Sequence, residues 1–179
     1  MITRQEFVKK YSPFALSITK GTGIFPETLL SQMIIESQAN VNGSFVPGAS
    51  ILAAKYNNFF GIKADRSWKG KFVSLKTGEE FVPGHPVIIT DAFRVYETPE
   101  DSMRDYVAFL KGNSRYATAG VFTAPTVKDQ AERLKQAGYA TGSGYSDLIA
   151  NVAKSIEAWI APGMGGALGA FLIFGTFFF

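Results

Sequence analysis

The chain reads as an α+β domain, mostly helical, with one small β-hairpin. Three observations carry that expectation. Apolar residues recur at helical spacing over most of the stretch from Thr3 to Trp159. Only from Lys71 to Phe93 does the period change to two, around the turn Val82-Pro-Gly-His-Pro86. The chain has 179 residues, 46% hydrophobic and 18% charged, so it can bury one real core and is not a disordered polymer.

The elements follow in order. Thr3 caps a short helix through Gln5-Glu6-Phe7-Val8, with Glu6 completing a capping box. Pro13 starts a second helix, Phe14 to about Lys20, which stops at Gly21-Thr-Gly23. Pro26 and Glu27 open a third, and residues 40 to 50, rich in Gly, Asn and Ser, read as a loop. Ile51 to Lys55 is a short helical stretch. Tyr56-Asn-Asn-Phe-Phe-Gly-Ile-Lys63 is a compact turn in which Phe59, Phe60 and Ile62 bury while Asn57 or Asn58 satisfies backbone groups. The hairpin comes next and is the only convincing sheet. Thr77, Glu79 and Phe81 share one face of its first strand, Lys76 and Glu80 the other. Thr98-Pro-Glu-Asp101 caps a helix with Met103, Tyr106, Val107 and Leu110 inward, ended by Gly112-Asn113. Thr126 caps another, ending at Gly138. A glycine-broken loop, Tyr139 to Tyr145, precedes the last helix, Leu148 to about Trp159.

Composition narrows the chemistry. There are no cysteines, so disulfides and thiolate nucleophiles are excluded. A single histidine, His85, rules out a multi-histidine metal site. Hydrolytic chemistry here rests on carboxylates and tyrosines. No metal or other cofactor is expected. A net charge of +3 without basic runs interleaved with aromatics gives no case for nucleic acid. The N-terminus carries no apolar stretch of the secretory type.

One carboxylate stands out. In Thr28-Leu-Leu-Ser-Gln-Met-Ile-Ile-Glu-Ser37, Glu36 shares a helix face with Leu29 and Met33. Lost hydration and the negative end of the helix dipole both disfavour its charge. A raised pKa is what a general acid needs near neutral pH. The plain alternative is a helix-end glutamate reaching out to water.

Taken together, four segments resemble the glucosaminidase domain of bacterial autolysins and flagellar peptidoglycan hydrolases, glycoside hydrolase family 73. They are residues 11–37, Asn57-Asn-Phe-Phe-Gly-Ile-Lys63, Thr77-Gly-Glu79 with Asp91-Ala-Phe-Arg-Val-Tyr96, and Gly138-Tyr-Ala-Thr-Gly-Ser-Gly-Tyr145. Two departures stand beside the match. Ser37-Gln-Ala-Asn40 replaces the family's Ser-Gly-Trp-Gly, and Gly142-Ser143 replaces an Asp-Pro. The resemblance implies a lysozyme-like fold whose helical lobe and hairpin lobe flank a cleft. It implies hydrolysis of the β-1,4 bond after N-acetylglucosamine in bacterial peptidoglycan. By position it makes Glu36 the general acid, Glu79 the second carboxylate and Tyr139 a residue near the reacting sugar. Phe60, Tyr145 and Asn58 become candidate substrate-binding residues. Glu80 remains the alternative to Glu79.

Residues 1–160 then form the catalytic domain, and 161–179 a separate hydrophobic tail. No charge follows Glu157 up to Phe179, a run longer than the roughly 20 apolar residues that span a bilayer. Membrane contact is the expectation; a strap on the domain's own surface or a subunit contact is the alternative. The setting implied is the cell envelope or a phage virion. A phage wall-binding tail protein with little turnover is the second functional reading.

Overall fold

The computed structural model of the chain describes residues 2–82 and 85–160, the side chains of 79–82, 85 and 86 excepted. Residues 161–179, and with them the expected membrane contact, lie outside the described residues. Among those described, no helix is long and apolar enough to cross a membrane.

The first helix, α1 (Arg4–Thr19), starts on the expected capping box: Thr3 Oγ1 accepts from the Glu6 N–H at 3.2 Å, and the Glu6 carboxylate accepts from the Thr3 N–H at 2.8 Å. The break expected at Pro13 is absent, and one continuous helix runs through it. Proline removes the hydrogen bond to the Lys9 carbonyl. Both residues are exposed, so water can take that carbonyl, while Phe7, Val8, Tyr11 and Ala15 bury the opposite face.

The second helix, α2 (Pro26–Ser37), is the centre of the domain. All residues from Thr28 to Ile34 are buried, packed between α1 and the last helix, α7 (Tyr145–Ile156). Both its ends are held. At the start the Gln130 side chain accepts from the Phe25 N–H at 3.0 Å and donates to the carbonyls of Gly23 (2.7 Å) and Val121 (2.9 Å). Gly23 has φ +80, and a Cβ there would lie 2.2 Å from the Phe122 carbonyl oxygen, so no side chain fits. At the far end Ser37 Oγ donates to the Met33 carbonyl and accepts from the Gly48 N–H at 2.8 Å.

The segment read as a loop holds a second small sheet instead. Strands β1 (Ala39–Val41) and β2 (Ser44–Val46) pair antiparallel around Asn42-Gly43, both at positive φ. Asn-Gly is the pair that two-residue hairpin turns demand. Helix α3 (Ile51–Tyr56) follows. Asn57 then caps it in the left-handed conformation and donates its side-chain amide to the Tyr96 and Glu97 carbonyls. Phe59, Phe60 and Ile62 are buried as expected.

The long hairpin, β3 (Phe72–Val82) and β4 (His85–Arg94), pairs Thr77 with Ile89 and Glu79 with Val87, with an irregularity between Glu80 and Val82. Next comes α4 (Pro99–Gly112), capped at Thr98 as predicted, with Asp101 completing a capping box, and with the predicted face of Met103, Tyr106, Val107 and Leu110 buried. A short helix, α5 (Ser114–Thr118), and a 3-10 turn at Val121–Thr123 lead into α6 (Val127–Gln136) and α7. The helices enclose the core, and the β3–β4 ribbon stands beside them.

Candidate active site

In α2, Glu36 is the one exposed side chain. The sequence placed it on an apolar, buried face; in fact the groove opens over it while protein crowds it from the other sides. Its carboxyl pKa is raised, and lost hydration is the cause. The group is thus reachable from the groove yet poorly solvated.

The groove has two segments, and among the described residues Glu36 is the one common to both. One segment, about 650 Å³, is lined by Phe60, Lys63, Asp65, Phe109, Arg115, Tyr116 and Tyr139. The other, about 570 Å³, lies between Ala39, Ile51 and Leu52 on one side and Leu75, Lys76, Thr77 and Phe93 on the other. Its second wall is the hairpin, so the expected cleft between a helical lobe and a hairpin lobe is present. A smaller cavity of about 330 Å³, at the Phe25 end of α2, shares no lining residue with it.

Behind Glu36 sits a polar network that sequence reading missed. Gln32, one turn earlier, is fully buried. Its Nε2 donates to the Tyr145 hydroxyl at 2.6 Å, and its Oε1 accepts from the Tyr106 hydroxyl. Phe60 stacks on Tyr106 with ring centroids 4.4 Å apart, and Tyr139 meets Tyr106 edge-on (6.1 Å) and lies tilted beside Tyr145 (6.3 Å). The pKa values of Tyr106, Tyr139 and Tyr145 are all raised, by burial first and by the Glu36 charge among the further causes. These hydroxyls therefore remain neutral O–H groups. The contacts span 74 and 113 residues in sequence, beyond the reach of local pattern. The available signal was Gln32 itself, an amide in an otherwise apolar helix run.

The expected site residues divide. Glu36, Phe60 and Tyr139 line the groove together. Tyr145 does not: it is 7% exposed, and its hydroxyl is spent on Gln32, so it supports the site from behind. Asn58 is also misassigned as a substrate contact. It is 1% exposed, and its amide binds the Ile62 N–H and the carbonyls of Ile62 and Arg94. That is the backbone-satisfying role open to it from the start. Glu79 lies on β3 two residues beyond Thr77, a groove residue, and so at the same parity of the pleat. The side chains of Glu79 and Glu80 lie outside the described set.

The hairpin wall is tied down by Arg94, itself 7% exposed. Its guanidinium makes a two-pronged contact with Asp105 on α4 (3.0 and 2.8 Å), reaches Asp65 at 3.4 Å and lies 4.5 Å over the Trp68 ring. The Tyr96 hydroxyl donates to the same Asp105 at 2.6 Å. Among the described residues there is no cluster of three or more acidic or histidine side chains suited to a metal.

Comparison with known proteins gives a consistent result. The family described as Glucosaminidase, mannosyl-glycoprotein endo-beta-N-acetylglucosaminidase, matches residues 12–158. The peptidoglycan hydrolase FlgJ of Vibrio parahaemolyticus is 36% identical over 160 residues, 86% of this chain and 48% of its own. The exo-glucosaminidase LytG of Bacillus subtilis is 31% identical over 157 residues, 86% of this chain and 52% of its own. The catalytic domain of the autolysin Auto from Listeria monocytogenes superposes with a TM-score of 0.71 at 27% identity, covering 89% of this chain and 88% of that domain. The chain spans about half the length of these two relatives, FlgJ and LytG.

Proposed function

The chain belongs to the glucosaminidase family of glycoside hydrolases, and on that premise we propose that its groove hydrolyses the β-1,4 bond after N-acetylglucosamine in peptidoglycan. The observation that carries this reading is Glu36: the lone exposed residue of a buried helix, at the meeting of two groove segments, with a raised pKa.

The chemistry follows from that position. Glycoside hydrolysis needs one protonated and one ionised carboxyl across the bond. Glu36, short of water, holds its proton more tightly than a solvated glutamate and gives it to the departing glycosidic oxygen. The C–O bond breaks as that proton arrives, and water completes the hydrolysis at the sugar carbon. Glu79, on the facing strand, is the proposed ionised partner. If the substrate's own acetamido group attacks the sugar carbon, Glu79 takes a supporting role. The Tyr139 hydroxyl, held neutral, donates to the sugar beside the bond, and Phe60 forms the apolar floor. The setting proposed is the cell envelope, where the substrate lies.

The test is the reducing end released from purified peptidoglycan. N-Acetylglucosamine at that end, lost in Glu36→Gln, supports the reading. N-Acetylmuramic acid would make the protein a muramidase, and release undiminished in Glu36→Gln would remove Glu36 from its role.

A further inference from the structure

The two groove segments differ in chemistry. The hairpin side is mostly apolar, walled by Ile51, Leu52, Leu75 and Phe93 with Lys76 and Thr77 among them, whereas the tyrosine side carries Lys63, Asp65 and Arg115. Two of those three charges are already paired within the protein: Lys63 with Asp91 at 2.8 Å, and Asp65 with Arg94 at 3.4 Å. Among the described residues Arg115 has no carboxylate partner.

Arg115 is nonetheless held in place. Its Nη2 donates to the Tyr116 hydroxyl at 2.7 Å, and the guanidinium lies 4.7 Å over the Tyr116 ring. Tyr116 is fully buried, so the anchor is rigid. Nη1 sits beside Gly138, the residue before Tyr139, where even an added Cβ would come no closer than 3.6 Å. A planar guanidinium is therefore fixed at the groove edge with N–H donors to spare. That arrangement suits a carboxylate better than a neutral sugar hydroxyl.

We propose that Arg115 recognises a carboxylate on the arm-bearing alternate sugars of the glycan strand: the lactyl arm's own where the arm carries no peptide, or one on the stem peptide amide-linked to it where it does. The proposal rests on the glucosaminidase reading and deepens it. An arm-bearing sugar seated beside Arg115 fixes which sugar of the alternating strand lies on either side of Glu36. Arg115 thereby sets the register of the strand over Glu36 and selects which of the two alternating bonds is cut.

The experiment compares wild type, Arg115→Gln and Arg115→Lys on three soluble glycans. These are peptide-bearing strands, strands stripped by an amidase to leave a free lactyl carboxylate, and neutral N-acetylglucosamine oligomers. The expected result is a KM raised about tenfold by Arg115→Gln on the charged glycans, with kcat unchanged and the neutral oligomers unaffected, as for one lost charge-assisted hydrogen bond. Arg115→Lys, which keeps the charge, falls between. A loss confined to the stripped strands assigns the arm's own carboxylate, a loss confined to peptide-bearing strands assigns a stem-peptide carboxylate, and a loss on both shows that either carboxylate seats on Arg115. An equal loss on neutral oligomers, or no loss on any glycan, overturns the proposal. If Arg115→Gln melts early, the Arg115→Lys contrast between charged and neutral glycans serves instead. Should wild type release no reducing sugar at all, the hydrolase reading fails separately. Affinity for the same three glycans, measured with and without Arg115→Gln, then still decides the role of Arg115.

Discussion

The two walls of the groove are built in opposite ways. The helical wall is buried, aromatic and cross-linked: Gln32, Tyr106 and Tyr145 satisfy one another, and Phe60 and Tyr139 pack on them. The hairpin wall is a two-stranded ribbon with Phe72, Val87 and Ile88 exposed, fastened to α4 mainly through Arg94 and Asp105. A lone ribbon of that kind is barely stable in water. The contrast divides the labour. On the proposed mechanism, the wall bearing Glu36 keeps one proton poised, which needs fixed surroundings and a fixed degree of hydration. On that mechanism the facing wall needs only to bring a charge alongside, and its ties gather at the base of the ribbon, where Asp91 pairs with Lys63 and Ala92 and Arg94 bond the backbone of residues 62–64.

The sharpest way to break this division is at the two carboxylates. Glu36→Gln should lower the rate of glycan hydrolysis on the order of 100-fold or more while leaving the fold intact, as turbidity loss of purified walls will measure. Next in size is the hairpin carboxylate. We expect Glu79→Gln to cost about tenfold or more in kcat and Glu80→Gln to behave as wild type. The reverse order would move the assignment to Glu80, and a small effect of both would favour attack by the substrate's acetamido group.

Two stability variants sharpen the contrast between the walls. Gln32→Leu strands two buried tyrosine hydroxyls and should cost about 3 kcal/mol in global unfolding, measured by denaturant titration. Arg94→Met leaves Asp105 with Tyr96 and partial exposure to water, so its cost should be nearer 2 kcal/mol. Amide exchange should rise first along residues 72–94 while α2 stays protected; uniform exchange across both regions would mean the ribbon is no separate unit.

The smallest effect concerns pH. Folding raises the Glu36 pKa, so the native state holds that proton more tightly than the unfolded chain does. Its contribution to stability is complete below the ordinary glutamate pKa and is lost as pH rises through the raised value. Glu36→Gln should therefore melt with wild type in acid and slightly above it at alkaline pH. The kcat/KM of wild type should decline over the same alkaline-going window. A variant less stable than wild type at high pH would contradict the shift.

Much of the fold was legible because its signals are local. The boxes at Thr3 and Thr98 and the inward face of α4 can be read from a few neighbouring residues each. The β1–β2 hairpin was legible too, through Asn42-Gly43, but it lay in a polar stretch that resembled a loop. Pro13 argued for a break that the surrounding buried side chains overrode. The site was readable in part. Spacing singled out Glu36 but put it on a buried face, because periodicity cannot tell a core from the lip of a groove. Tyr145 and Asn58 were named from motif position, yet what each one touches depends on partners many residues away.

The clasps at the two ends of α2 have one more consequence. The side chains of Gln130 and Ser37 fix the helix through partners that do not line the groove. Glycan preference and proton delivery are thus separately adjustable. Mutational libraries confined to Ile51, Lys76 and Arg115 can explore new strand chemistries without disturbing the acid beneath them, a modularity that makes this scaffold readily evolvable.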